Sequence, residues 1–170
     1  MKTRLKPQAL LAIAGALMAT QAAAQTNPAS VRQSLQKDLN TFASAAMRHD
    51  SAALQSMLPK RFVFFVEPNR SLSRQEFLNG VVKTALSQDN LVVKIKIDKL
   101  DLAADGATGY ATAITQGGVS DAAGKRRRLE VSEAIVFKWS HADGDYTLES
   151  AEQLRFTQKI DGKIVAASNP

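Results

Sequence analysis

The residues best placed to do chemistry are carboxylates set among apolar side chains. In VSEAIVFKW (131–139), alternation puts Val131, Glu133, Ile135, Phe137 and Trp139 on one face of a strand. Glu133 is the only charged residue on that face. Burial in an apolar pocket disfavours a carboxylate's charge and raises its pKa. Such a group can serve as a general acid or base near neutral pH. A second acid, Glu152, alternates with Tyr146, Leu148, Ser150, Leu154 and Phe156 along the next strand. An aspartate–glycine turn at 143–144 pairs the two strands. Counted from a hairpin centre near 143, Glu133 and Glu152 are expected roughly opposite each other. Two facing carboxylates would push one pKa up sharply. They could also hold a cation or accept hydrogen bonds from a hydroxylated ligand. The structural alternative is that one acid points to water, or that an arginine such as Arg61 or Arg155 neutralises them.

Tyr110, Thr112 and Gln116 could line the same pocket from a neighbouring strand. Ordinary strand polarity is the plainer reading of all three. With the large aromatic residues added, the candidate ligand-binding set is Phe42, Phe64, Phe77, Tyr110, Glu133, Trp139 and Glu152. The first candidates for catalysis are Glu133 and Glu152.

Other chemistries find little support. The two histidines lie in turns: His49 beside a helix-capping Asp50, and His141 in a hairpin loop. Two histidines and no cysteine leave no set of ligands for a zinc-type site, so no metal is expected. The absence of cysteine also excludes disulfides and thiolate catalysis. G-x-S-x-G, the phosphate loop and the dinucleotide fingerprint are absent, so no cofactor is expected. The single basic run, KRRR (125–128), reads as a solvated loop between strands. It lacks the interleaved aromatics that stack nucleic acid, so no nucleic-acid partner is expected.

The elements that must position these residues can be read from periodicity. Val31, Leu35, Leu39, Phe42 and Ala46 form one helical face, with Asn27 as cap and Pro28 at the first helical position. Asp50 caps a short second helix with Leu54 and Leu58 inward, and Pro59 stops it. RFVFFVE (61–67) is apolar without alternation, so a strand covered on both faces is expected. PNRS reads as a turn. SRQE (73–76) is a capping box that opens a third helix carrying Phe77, Leu78, Val81, Val82 and Leu86. The period then changes to two in four runs, at 91–102, 108–118, 129–139 and 146–156. In the first run the apolar phase shifts near Asp98–Lys99, which predicts a bulge and a bend. A frayed final hairpin is expected at the aspartate–glycine pair 161–162. Helices gathered before a run of antiparallel strands predict an α+β layer, with the first helix across one face of a bent sheet.

The first 24 residues read differently. Lys2, Arg4 and Lys6 precede a 12-residue apolar run at 9–20, and Ala22 and Ala24 supply the small residues of a cleavage site. This is the layout of a secretory signal peptide cut after Ala24. The run is shorter than the roughly 20 residues that cross a bilayer. Cleavage leaves 146 of the 170 residues as one domain, 25–170, and no membrane span. It removes three basic residues and no acid, so the formal charge falls from +6 to +3. The expected location is the periplasm or the medium.

RHD (48–50), ALQSMLPKRFVFF (53–65), SLSRQEFLNGV (71–81), LDLAADGATGYAT (101–112) and FKWSHADGDYTLESAEQLRF (137–156), in that order and spacing, resemble the nuclear-transport-factor-2-like superfamily and its SnoaL-like members. The resemblance spans about residues 30–160. It implies a cone-shaped half-barrel with three N-terminal helices on a strongly bent, mainly antiparallel sheet. It also implies a mostly apolar cavity at the mouth, and dimers through the open sheet face. Superfamily members include isomerases, dehydratases, cyclases, epoxide hydrolases and non-catalytic modules, so the fold does not fix an activity. Three functions follow as expectations. The first is an exported domain that binds a small apolar or amphipathic molecule, or pairs with itself as a homodimer. The second is a cofactor-free lyase or isomerase using Glu133 with Glu152 or Tyr110. The third is a module that binds another protein.

Overall fold

The computed structural model describes residues 27–67 and 70–168. Residues 1–24, expected from the sequence to be a signal peptide, lie outside the described residues. Helix α1 runs Pro28–Met47, and the Asn27 side chain accepts from the Ala29 N–H at 3.0 Å. Val31, Leu35, Leu39, Ala43 and Ala46 are its buried stripe. A short α2, Ser51–Met57, is capped by Asp50, which accepts from the Ala53 N–H. Strands β1 (Val63–Glu67) and β2 (Arg70–Ser73) lead into α3, Arg74–Leu86. The capping box of α3 is complete, with Ser73 and Glu76 each satisfying the other's backbone N–H. Four long strands follow: β3 (Asp89–Ala103), β4 (Gly106–Ser120), β5 (Arg126–Ala142) and β6 (Asp145–Ile160). A last strand, β7, covers Lys163–Ser168.

The seven strands form one sheet in the order β2-β1-β6-β5-β4-β3, with β7 against the far half of β6. Only β1 and β6 run parallel. The α+β class and the helices on a curved, open sheet are as the sequence predicts. The core lies between the helices and the concave sheet face, where Leu35, Leu54, Phe62 and Ile97 are the most buried large side chains.

The sheet carries six register shifts, and three of them lie inside the long strands β3 and β6. Asp98 is skipped in the β3–β4 pairing, at the predicted position. Glu149 and Leu154 are skipped on β6, because Lys138 pairs Ser150 while Trp139 pairs Leu148, and Ala134 pairs Arg155 while Ile135 pairs Gln153. A bulge adds one residue to one strand, increases twist and reverses the side-chain phase beyond it.

Several local expectations are corrected. Strand β1 is covered on one face only, since Phe65 is 40% exposed on the side without helices. Leu86, the last residue of α3, is 65% exposed, because the helix end projects past the sheet. Of the PNRS segment, Pro68 and Asn69 lie outside the described residues, while Arg70 and Ser71 belong to β2. The final hairpin is a formed strand pair, Phe156–Ile160 with β7, with one register shift that skips Val165.

The outer edge of β3 is closed by side chains of α1. The Gln36 amide donates to the Ile95 carbonyl at 2.7 Å and accepts from the Ile97 N–H at 2.8 Å. Arg32 donates to the carbonyls of Ile97 and Asp98. Gln36 thus makes the pair of bonds that a residue of an adjoining strand would make. Gln36→Leu leaves an edge N–H and C=O of β3 without these partners and is expected to cost about 1–3 kcal/mol. Thermal unfolding by circular dichroism should show a midpoint lower by roughly 2–4 °C per kcal/mol. An unchanged midpoint would mean that the clamp does not hold the helix to the sheet.

Candidate functional site

The concave sheet face and the helices enclose a cavity of about 690 Å³. Its wall is mostly apolar. Phe77 of α3 stands at its centre, with ring centroids 4.7 Å from Phe64, 5.4 Å from Phe62 and 6.2 Å from Phe42. Along β5, alternation brings Glu133, Ile135, Phe137 and Trp139 into the wall. The Trp139 ring packs 5.7 Å from Phe137 and lies over Gly109. A Cβ at Gly109 would come within 2.8 Å of that ring, so the close approach of β4 to Trp139 needs a glycine.

Two lining residues are ionisable acids and none is basic. Glu133 belongs to the cross-strand row Ile95–Ala113–Glu133–Phe156. Its Oε1 accepts from the Gln153 amide, a diagonal contact between β5 and β6. Burial pushes the Glu133 carboxyl above its ordinary value of 4.5, and the Gln153 hydrogen bond opposes that only in part. The second acid is Asp38 of α1. Burial pushes its carboxyl up too, against a smaller lowering by neighbouring Lys37. Asp38 lines the cavity from the helix side, at an exposed position. Thr84, Thr115, Thr147 and Ser56 add hydroxyls to the lining.

No protein-family model matches the chain, and no curated protein matches it. Solved structures do. A candidate scytalone dehydratase from Novosphingobium aromaticivorans DSM 12444 aligns with a TM-score of 0.65 at 10% identity, over 84% of this chain and 93% of that one. The hexachlorocyclohexane dehydrochlorinase LinA-type3 from Novosphingobium barchaimii LL02 aligns with a TM-score of 0.60 at 11% identity, over 82% and 90%. An NTF2-like protein from Cytophaga hutchinsonii ATCC 33406 aligns with a TM-score of 0.52 at 10% identity, over 72% and 95%. The fold is nuclear-transport-factor-2-like.

Within this NTF2-like fold, five of the seven residues expected in the pocket line the cavity: Phe42, Phe64, Phe77, Glu133 and Trp139. The other two are elsewhere. Glu152 pairs with Val136, one residue out of phase with Ile135 and Phe137, and so lies on the convex face. Its expected position opposite Glu133 is taken by Phe156. The hairpin is centred between Asp143 and Gly144, and the skipped Glu149 and Leu154 shift the pairing further. Tyr110, 40% exposed, pairs with Val136 on the same convex face, where Lys99 lies over its ring. Thr112 bonds Asp98 and Gln116 bonds Glu130, also away from the cavity. Arg61 is paired with Glu149, not with Glu133 or Glu152. The fold adds Asp38, which periodicity did not single out. It lies three residues after Leu35 and four before Phe42, inside the apolar arc of α1, and that spacing is the signal that marks it.

The raised pKa of Glu133 has a definite sign for stability. An acid whose folded pKa exceeds its unfolded one holds its proton more tightly when folded. Its charge therefore destabilises the fold progressively as pH rises from 4.5 through the raised value. The Glu133→Gln variant carries no titrating group there and can still accept from Gln153. Wild type and variant should melt at similar temperatures near pH 4, and the variant should melt higher at neutral pH. A variant that melts lower at neutral pH would show that the charge is held by a partner and is structural.

Proposed function

We propose that this protein is an exported binder of a small, mostly apolar molecule. The ligand lies in the cone, with its one polar group at Glu133. The observation that carries this reading is the cavity itself. It encloses about 690 Å³ behind aromatic and aliphatic walls, with a single carboxylate on its sheet face. Ligand sites have this size and this composition, apolar walls with a few convergent polar groups. The basic start, the apolar run at 9–20 and the small residues Ala22 and Ala24 support export to the periplasm or the medium. Pairing of two copies through the convex face is supported by the exposed Phe65, Tyr110 and Ile114 on that side.

A second reading is a cofactor-free lyase or isomerase, and the raised pKa of Glu133 favours it. A buried carboxylate is a stronger base than a solvated one and could remove a proton from a bound carbon acid. Two structural neighbours are named for the removal of hydrogen chloride and of water. In this reading Glu133→Gln would bind and not turn over. In the binding reading there is no turnover to lose.

Gly80 of α3 supplies the test. It lines the cavity, and a Cβ there would meet nothing within 4 Å. Gly80→Leu therefore adds a side chain to the cavity lining at a position where the Cβ has room, and it removes a glycine that costs an exposed helix about 1 kcal/mol. A neutral naphthalene probe should bind the wild type saturably at one site, read by emission of Trp139, the only tryptophan. In Gly80→Leu the affinity should fall at least about tenfold, or 1.4 kcal/mol, while the melting temperature holds or rises. Binding that is absent in the wild type, or equal in the variant, would sink the cavity reading.

A further inference from the structure

The charge pattern of the cavity narrows the ligand class, an inference that rests on the cavity reading above. The carboxylates lining it are Glu133 and Asp38, and among the described residues no lysine, arginine or histidine joins them. An anionic ligand would meet two carboxylates and no counter-charge. One oxygen of Glu133, Oε1, is taken by Gln153. The other, Oε2, makes no hydrogen bond to the described residues. A group that donates to it completes the shell that a partly buried carboxylate needs. The walls add seven aromatic rings, those of Tyr146, Trp139 and five phenylalanines, Phe137 among them. Faces of such rings attract cations, tryptophan most of all. A bare metal ion is a poor fit, because no group of three or more potential ligands occurs among the described residues.

We infer that the ligand is an amphipathic amine, with its ammonium at Glu133 and its apolar body along Phe137 and Trp139. The geometry suits a long ligand. Trp139 lies six residues along β5 from Glu133, about 20 Å of extended strand. The head group and the tail thus meet different stretches of the β5 wall, Glu133 at one end and Phe137 and Trp139 at the other. Burial alone disfavours the Glu133 charge, and an ammonium beside Oε2 supplies the opposite charge that favours it. A neutral alcohol could donate to the same oxygen, and it would gain only the neutral part of that interaction.

Three probes with one tail separate these cases: octylamine, octanol and octanoate at neutral pH, titrated into the full mature chain and followed by Trp139 emission. The inference expects octylamine to bind at least about tenfold tighter than octanoate and several-fold tighter than octanol. Glu133→Gln should bring octylamine to within about threefold of octanol, and Asp38→Asn, on the helix side of the cavity, should weaken octylamine more than octanol. Octanol or octanoate binding as tightly as octylamine would overturn the amine inference and leave the cavity reading intact. So would an octylamine affinity indifferent to both substitutions. If none of the three probes changes Trp139 emission, the cavity reading falls and the amine inference falls with it.

Discussion

Strands of 15 to 17 residues must bend if helices of 7 to 20 residues are to close over one face. The bend in this sheet is placed at three skipped residues, Asp98, Glu149 and Leu154. Each lets one strand turn more sharply than its neighbour. The same devices choose which side chains see the interior. Between the two skips on β6, Gln153 and Ala151 face Ile135 and Phe137 across the concave side, and Glu152 is turned outward. Curvature and chemistry are therefore set together. A sheet without those extra residues would be flatter and would present a different set of side chains to the cavity.

The signals legible in the sequence were local ones. Asn27, Asp50 and the Ser73–Glu76 pair mark helix starts through hydrogen bonds made within three residues, so each could be read without knowing the fold. The Asp98 bulge was legible because the apolar phase of β3 changes across it. The β6 bulges were not, because Glu149 and Leu154 interrupt a run of mixed polarity and leave no phase change to see. That is why Glu133 was assigned to the right face and Glu152 to the wrong one. Tyr110 failed for a related reason. Along β4 the cavity side carries small residues, Ala111, Ala113 and Thr115, and the larger Tyr110 and Ile114 lie outside. Bulk alone misleads where one side of a strand must leave room. Leu86 and Phe65 show the converse limit, since periodicity reports a face and not whether anything covers it.

Glu133 answers the question its neighbours raise. It is not neutralised by an arginine, and its one protein partner is an amide. An amide can hold a carboxylate in place without removing the cost of its charge. The group is therefore well positioned and electrostatically unsatisfied at once. Asp38 repeats the pattern more weakly on the helix side. The aromatic cluster around Phe77 then gives the cavity a rigid apolar body, because its four rings support one another. Along the β5 wall, what distinguishes the Glu133 end from the Trp139 end is charge.

The clamp of Gln36 on β3 bears on how the molecule behaves in company. An unpaired strand offers its amides to any passing chain. Along the middle of β3 that offer is already taken, by a side chain anchored in a 20-residue helix. A foreign strand arriving there would have to pull the helix away first. At the other side of the sheet, β7 is exposed along its whole length, with Ile164 and Val165 open to solvent. The sheet is therefore directional, guarded along the middle of one margin and open along β7 on the other, where strand addition meets less resistance.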